Sequence, residues 1–234
     1  MIRLFKLGFS LVFLLVLLVV ADRLAAGVAG QVVADQIKSS EHLAETPKVS
    51  VEGFPFLTQL VAGKYDQVDA TANNIAQGDV RASVMTLHLH GVHLKAADVL
   101  SQSVKDIPVD GADGTVLLSY ADVNALAKPQ GLTVTPGTAG DFTVSGSVKV
   151  LGQTIKGSGT GAVSAVPSGI QVTVSNLRVA GLSSALTSSL VNKLSFVIPT
   201  SSLPYGVKVQ QVRSDPTGFT VNVESGPFTI PVGG

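Results

Sequence analysis

Residues Leu7 to Ala21 read LGFSLVFLLVLLVVA, fifteen positions without a charge. Arg3 and Lys6 precede the run, and Asp22 and Arg23 follow it. Such a run cannot sit exposed in water; it is the hydrophobic region of a secretory signal or a membrane-spanning helix. A span takes about 17–25 residues and a signal core about 7–15. Counting back to Leu4, with Lys6 snorkelling to the headgroups, gives enough for a thin span. Both readings deliver the rest of the chain across a membrane. The basic residues ahead of the run place the N-terminus in the cytoplasm and the C-terminal bulk outside.

Beyond the run the helical pattern continues. Leu24, Val28, Val32, Val33 and Ile37 form an apolar stripe, and Gln31, Asp35, Lys38, His42 and Glu45 recur on another face. Pro47 is expected to end the helix by excluding the helical conformation at Thr46. Small residues leave cleavage after Ala21 or Gly27 open. The unbroken helical pattern favours a retained anchor over residues 1–21, with an extracytoplasmic domain over 22–234.

Composition narrows what that domain is. Sixteen basic and sixteen acidic residues balance, which argues against nucleic acid as a partner. The absence of cysteine excludes disulfide and thiolate chemistry. After residue 47, Val, Ser, Thr and Gly dominate, a strand-rich composition with many turns. The patterns predict a strand at Lys48–Val51, an apolar knuckle at Gly53–Leu60 ending in one helical turn, and an alternating strand over Tyr65–Ile75. A turn at Gln77-Gly78-Asp79 leads to a long strand, Val80–Leu94, with bulges near Val84 and Gly91 where the apolar parity flips. A short helix follows at Ala96–Ser103. Val104–Val109 and Thr115–Ser119 read as a hairpin around Asp110-Gly111-Ala112-Asp113-Gly114, and Tyr120–Lys128 as a second short helix stopped by Pro129.

The second half alternates more cleanly. Strands over Phe142–Val150, Ile155–Ala165 and Ile170–Val174 form a meander with its first turn at Leu151-Gly152. Leu182, Leu186, Leu190 and Leu194 mark a helix, and Val207–Val212 with Phe219–Val223 a final hairpin. The class is α+β, with half-polar antiparallel strands whose apolar face needs helical cover. Leu87–Ser101 and Leu177–Ser189 share an outline of strand, glycine and short helix, which reads as a duplication.

No catalytic motif emerges. Lys156-Gly157-Ser158-Gly159-Thr160-Gly161 puts lysine before the glycine and alternates as a strand, unlike a phosphate loop. No G-x-S-x-G elbow occurs. His88 and His90 share a strand face, a chelating spacing, yet Met85, Leu87 and Leu89 claim the buried side and no acidic residue lies within that strand. A solvated polar face is the better reading, with no metal and no cofactor. Gly157, Gly159 and Gly161 lie at period two on a face otherwise carrying Ile155 and Val163. They leave a bare strip that a packed helix or an apolar ligand chain must cover. If a lipid tail lies there, these glycines are its floor, and Phe54, Pro55, Phe56, Leu57 and Leu60 of the knuckle are rim candidates, stiffened by the proline.

The stretches VSVEGFPFLTQLVAGKYDQVDATANN and FVIPTSSLPYGVKVQQV carry a resemblance. They resemble the actinobacterial LmeA family of phospholipid-binding cell-envelope proteins, most specifically at Gly53-Phe54-Pro55-Phe56-Leu57, with support from Leu203-Pro204-Tyr205-Gly206. The resemblance covers roughly Ala21 to Val223. It implies a TULIP-like fold, a curved, mostly antiparallel sheet wrapped on a long N-terminal helix with short covering helices and an apolar groove. It also implies phospholipid binding, a role in envelope lipid or lipoglycan assembly, and no catalytic residues. The competing class is a structural protein that activates a membrane enzyme, such as a membrane-bound glycosyltransferase, by contact.

Overall fold

The computed structural model describes residues 2–40, 42–77, 80–101, 103–128, 131–138, 140–150, 153–179, 196–200 and 203–231. Among the described residues the α-helices are α1 (Ile2–Ser40), α2 (Phe56–Ala62), α3 (Ala96–Leu100) and α4 (Tyr120–Ala127). The strands are β1 (Lys48–Glu52), β2 (Lys64–Gln77), β3 (Val80–His93), β4 (Asp106–Ser119), β5 (Leu132–Pro136), β6 (Phe142–Val150), β7 (Gln153–Val166), β8 (Gly169–Val179), β9 (Phe196–Pro199), β10 (Lys208–Asp215), β11 (Gly218–Ser225) and β12 (Phe228–Pro231). The fold is α+β, with a long N-terminal helix and mostly antiparallel sheets. One sheet runs β1-β2-β3-β4-β11-β10 with β12 paired to β4, and the other runs β5-β6-β7-β8-β9. The chain divides into two compact units: residues 1–71, 87–112 and 227–234 form one, and 72–86 with 113–226 the other.

In the first unit α1 is continuous through the apolar run and beyond it. It stops at Ser40, before Pro47 can act. Leu43 N–H donates to Lys38 O at 3.1 Å, and His42 between them has φ 52°. That is a Schellman ending, with His42 in the left-handed conformation that releases the chain. The Ser39 and Ser40 hydroxyls donate back to the carbonyls of Asp35 and Gln36, four residues earlier, sharing acceptors of the helix's own ladder.

The apolar stripe predicted on α1 is not its packed face. Leu24, Val28 and Val32 are each more than 60% exposed, whereas Asp22, Ala26, Gly30 and Ala34 are buried. These four small or capping residues recur every fourth position, so they line one side of the helix. A Cβ on Gly30 would run into the carbonyl of Val49; the helix backbone therefore rests directly on β1, an approach only glycine permits. The core beneath gathers Ala26, Phe56, Tyr65, Val92 and Val109, with Leu60, Leu89 and Ile107 packed on it. Leu89 and Val92 are three apart yet share this core. Gly91, at φ +58°, makes the parity change that the alternation predicted there.

The hairpin expected at residues 104–119 is replaced by the single fourteen-residue strand β4. Asp110 is engaged from other strands of the sheet: its carboxylate accepts from Lys64 Nζ of β2 at 2.9 Å and sits 2.9 Å from His93 Nε2 of the adjacent β3. Phe228–Pro231 pairs with Val109–Asp106. Cross-strand partners override the turn propensity of Asp-Gly. The predicted Gln77-Gly78-Asp79 turn falls on residues 78 and 79, which lie outside the described residues.

The second unit contains the meander as predicted, β6, β7 and β8 in antiparallel succession. It also contains β5 and β9, which alternation did not reveal, and β12 was likewise missed in the first unit. α4 opens with a capping box: Ser119 Oγ accepts from Asp122 N–H, and the Asp122 carboxylate accepts from Ser119 N–H. Asn124 pairs with both backbone groups of Val134, at 2.7 and 2.8 Å, tying α4 to β5. The core here is Val134, Phe142 and Phe219, with Leu118, Tyr120, Val144, Val163 and Val172 around it. The predicted Leu182–Leu194 helix, and with it the second copy of the suspected duplication, lies outside the described residues.

Candidate functional site

The predicted lipid contacts fall into two groups, one in each unit. In the first unit, Gly53 to Gly63 carries no charge. Pro55 sits at the N-cap of α2 with no side-chain cap of its own. A residue distant in sequence supplies it: the Asp22 carboxylate accepts from Phe56 N–H at 3.0 Å and Leu57 N–H at 2.8 Å. Arg23 donates to Asp22 and to Gly53 O at 2.7 Å, and its guanidinium lies 5.4 Å from the Phe54 ring centroid, a cation–π contact. Burial pushes the Asp22 carboxyl up, but the N–H bonds from Leu57 and Phe56 and the Arg23 charge outweigh it, leaving the carboxyl below its ordinary range. Gly63, left-handed at φ 68°, closes α2 by donating to Gln59 O at 2.8 Å. Gln59 is buried; it donates to Glu52 O and accepts from Asp66 N–H.

This geometry splits the predicted rim. Phe56 is 2% exposed and stacks on Tyr65 with centroids 6.1 Å apart, so it belongs to the core and not to a rim. Leu60 is half-buried against the same core. Phe54, Leu57 and Val61 face outward at 61%, 41% and 90% exposure. Val61 was not among the predicted contacts, although its spacing of four from Leu57 places the two on one helix face.

In the second unit, Gly157, Gly159 and Gly161 share one face of β7, as their parity required. The strip is not bare. Phe142 is paired with Gly161 across the β6–β7 ladder, and its ring occupies the place a Gly161 Cβ would take. Beside Gly159 stand Val174 Cγ1, 3.0 Å from an ideal Cβ, and Leu177 Cδ1 at 3.4 Å; beside Gly157 stands Val179 Cγ2 at 3.3 Å. The β7–β8 register shifts between Ser158 and Thr160, and Asn176 takes φ 49°. This bulge keeps Val174, Leu177 and Val179 on one face despite their odd spacing. The expectation of a channel free of side chains therefore fails at Gly161, where the filler is an aromatic ring from the adjacent strand. At Gly157 the strip is only half-buried.

His88 and His93 have carboxylate partners from neighbouring strands, which reading their own strand could not reveal: His88 Nδ1 lies 2.7 Å from Asp69 Oδ1, and His93 meets Asp110. No group of three or more candidate metal ligands occurs among the described residues.

A family model described as LmeA-like phospholipid-binding matches residues 20–224. The chain belongs to that family. No curated protein and no solved structure matches it. The matched region of this LmeA-like chain begins at the end of the apolar run and takes in both the Asp22–Arg23 joint and the glycine strip. The portion of α1 from Leu11 to Ser40 is long and apolar enough to cross a membrane by length and composition, and the side chains from Leu11 to Val20 are all exposed.

Proposed function

We propose that this protein is an anchored phospholipid-binding protein of the cell envelope. Its apolar run stays in the membrane, and residues 22–234 act on the extracytoplasmic side in support of envelope lipid or lipoglycan assembly. The observation carrying the reading is the phospholipid-binding family match over residues 20–224. An acyl chain lies on the face of β7 at Gly157, the half-buried end of the strip, bordered by Val179, with Val174 and Leu177 filling the strip at Gly159 and Phe142 closing it at Gly161. Burying a tail is worth about 0.8 kcal/mol per methylene, on the order of 10 kcal/mol gross for a sixteen-carbon chain, enough to exceed the costs of ordering it. The reading calls for no catalytic residue.

The test is native mass spectrometry of the full chain released from detergent, with thermal melting of the same sample. The expected result is retained phospholipid. A Gly157→Leu variant, which fills the half-buried end of the strip, should still fold and lose the lipid. Wild-type chain that never retains phospholipid would overturn the reading and favour activation of a membrane enzyme by contact. Unchanged lipid per folded molecule in Gly157→Leu would move the acyl chain away from β7.

A further inference from the structure

We propose that α2 and the residue before its proline form a second membrane contact, an interfacial wedge that seats the first unit on the outer face of the bilayer. It rests on the reading of Leu7–Ala21 as a span and is separate from the lipid site on β7. The last residue of that run is Ala21. Asp22 and Arg23 follow within about 3 Å along the helix axis. Those two residues hold the knuckle: Asp22 accepts from the first two amides of α2, and Arg23 grips Gly53 O and lies on the Phe54 ring. Phe54 and Leu57 are thus fixed at the level where the span leaves the hydrocarbon.

The chemistry of the exposed face fits that level. Phe54, Leu57 and Val61 point outward, and Val61 is 90% exposed. The segment from Gly53 to Gly63 is uncharged. On its inner side α2 buries Phe56 and Gln59. A short helix with one face in a protein core and an apolar, uncharged face outward is costly in water. It suits the boundary between headgroups and acyl chains, where amphipathic helices insert. Arg23 beside Phe54 matches the cation–aromatic anchors found at that depth. The occupant is therefore lipid of the leaflet the span has just crossed.

The chain has no cysteine, so single labels can be placed without background. Full-length Val61→Cys, Val32→Cys and Leu14→Cys variants, each carrying an environment-sensitive nitrobenzoxadiazole label, are reconstituted into phosphatidylethanolamine–phosphatidylglycerol vesicles. Nitroxide lipids spin-labelled either near the headgroup or deep in the chain then quench whatever they reach. All three positions are exposed, so the substitutions leave the core untouched. The label at 61 should emit to the blue and lose most of its emission to the shallow nitroxide. The label at 14 should be quenched by the deep one. The label at 32, about 16 Å along the axis from Ala21, should be quenched by neither. Water-like, unquenched emission at 61 with quenching at 14 would leave the span intact and overturn the wedge. Blue-shifted but unquenched emission at 61 would mean that protein covers the face, and would also overturn it. Absence of quenching at 14 would remove the span itself, and the wedge with it.

Discussion

The Phe142 ring over Gly161 can be tested as a pair. Phe142 is 4% exposed and packs edge-on to Phe219, with centroids 5.1 Å apart and planes at 73°. Truncation to alanine removes a buried aromatic and should cost about 3–5 kcal/mol. Gly161 has no unusual φ, so alanine suits its backbone; what it meets is the Phe142 ring, held in place by its own packing. Gly161→Ala should therefore cost about 1–3 kcal/mol in overpacking, offset by up to about 1 kcal/mol for removing a glycine from a strand interior. With the ring gone, the overpacking disappears, and Gly161→Ala in the Phe142→Ala background should be neutral or stabilising by up to about 1 kcal/mol. The coupling is then on the order of 2 kcal/mol, well above the roughly 0.3–0.5 kcal/mol scatter of independent sites. Urea unfolding of the four chains in a non-ionic detergent, followed by strand circular dichroism, measures it. Additive costs would refute the reasoning and show that the ring yields freely, leaving the strip open at Gly161 as well.

The two glycines of α1 beyond the apolar run should respond to alanine with opposite signs. Gly27 meets nothing within 4 Å, so Gly27→Ala should stabilise by about 1 kcal/mol through helix propensity. Gly30→Ala drives a methyl into the β1 backbone and should lower the melting temperature, a net loss of about 1–2 kcal/mol. Equal shifts in thermal melting would refute the close seating of α1 on β1. Acid should weaken the first unit: Lys64 and His93 hold the Asp110 carboxyl below its ordinary range. A depressed carboxyl contributes stability above its unfolded pKa, near 4, and loses it as pH falls through the folded value. Melting temperature should drop below about pH 4, and Asp110→Asn should flatten that drop. An unchanged acid limb in the variant would dismiss the pairing as an energetic contributor.

The alternation of β6, β7 and β8 was legible because one face is buried and a single-residue slip would invert it. The partner of Gly161 was legible in principle too. Counting outward from a turn expected at Leu151-Gly152, which lies outside the described residues, pairs Val150 with Gln153 and, eight steps later, Phe142 with Gly161, as the ladder has it. What alternation could not supply was the rotamer that lays the ring over the gap. The Asp110–Gly114 stretch misled for a different reason. Its turn propensity is genuine, but Lys64, His93 and β12 come from distant parts of the chain, and their hydrogen bonds hold the segment extended. Asp22 was similarly opaque. A charge just past an apolar run reads as a flank, and nothing nearby in the sequence marks it as the cap of a helix more than thirty residues on.

The two faces of α1 explain why its apolar stripe pointed the wrong way. Leu24, Val28 and Val32 recur at four, and so do Asp22, Ala26, Gly30 and Ala34. An offset of two residues turns the helix by about 200°, so the two series lie on nearly opposite sides. Hydrophobic periodicity weighs side-chain size and selects the first series. Packing on β1 selects the second, because a helix that rests on a strand backbone must carry small side chains where the two meet. The buried series begins at Asp22, where the uncharged run ends, and its first member is the carboxylate that caps α2. The helix thus changes its seating at the residue where it leaves the apolar run. From Leu11 to Val20 its large side chains are exposed. From Asp22 onward its small ones are enclosed, first by the knuckle and then by the strand. The part of α1 beyond the apolar run is thereby joined to the rest of the first unit at two levels, through hydrogen bonds at Asp22 and Arg23 and through backbone contact at Gly30.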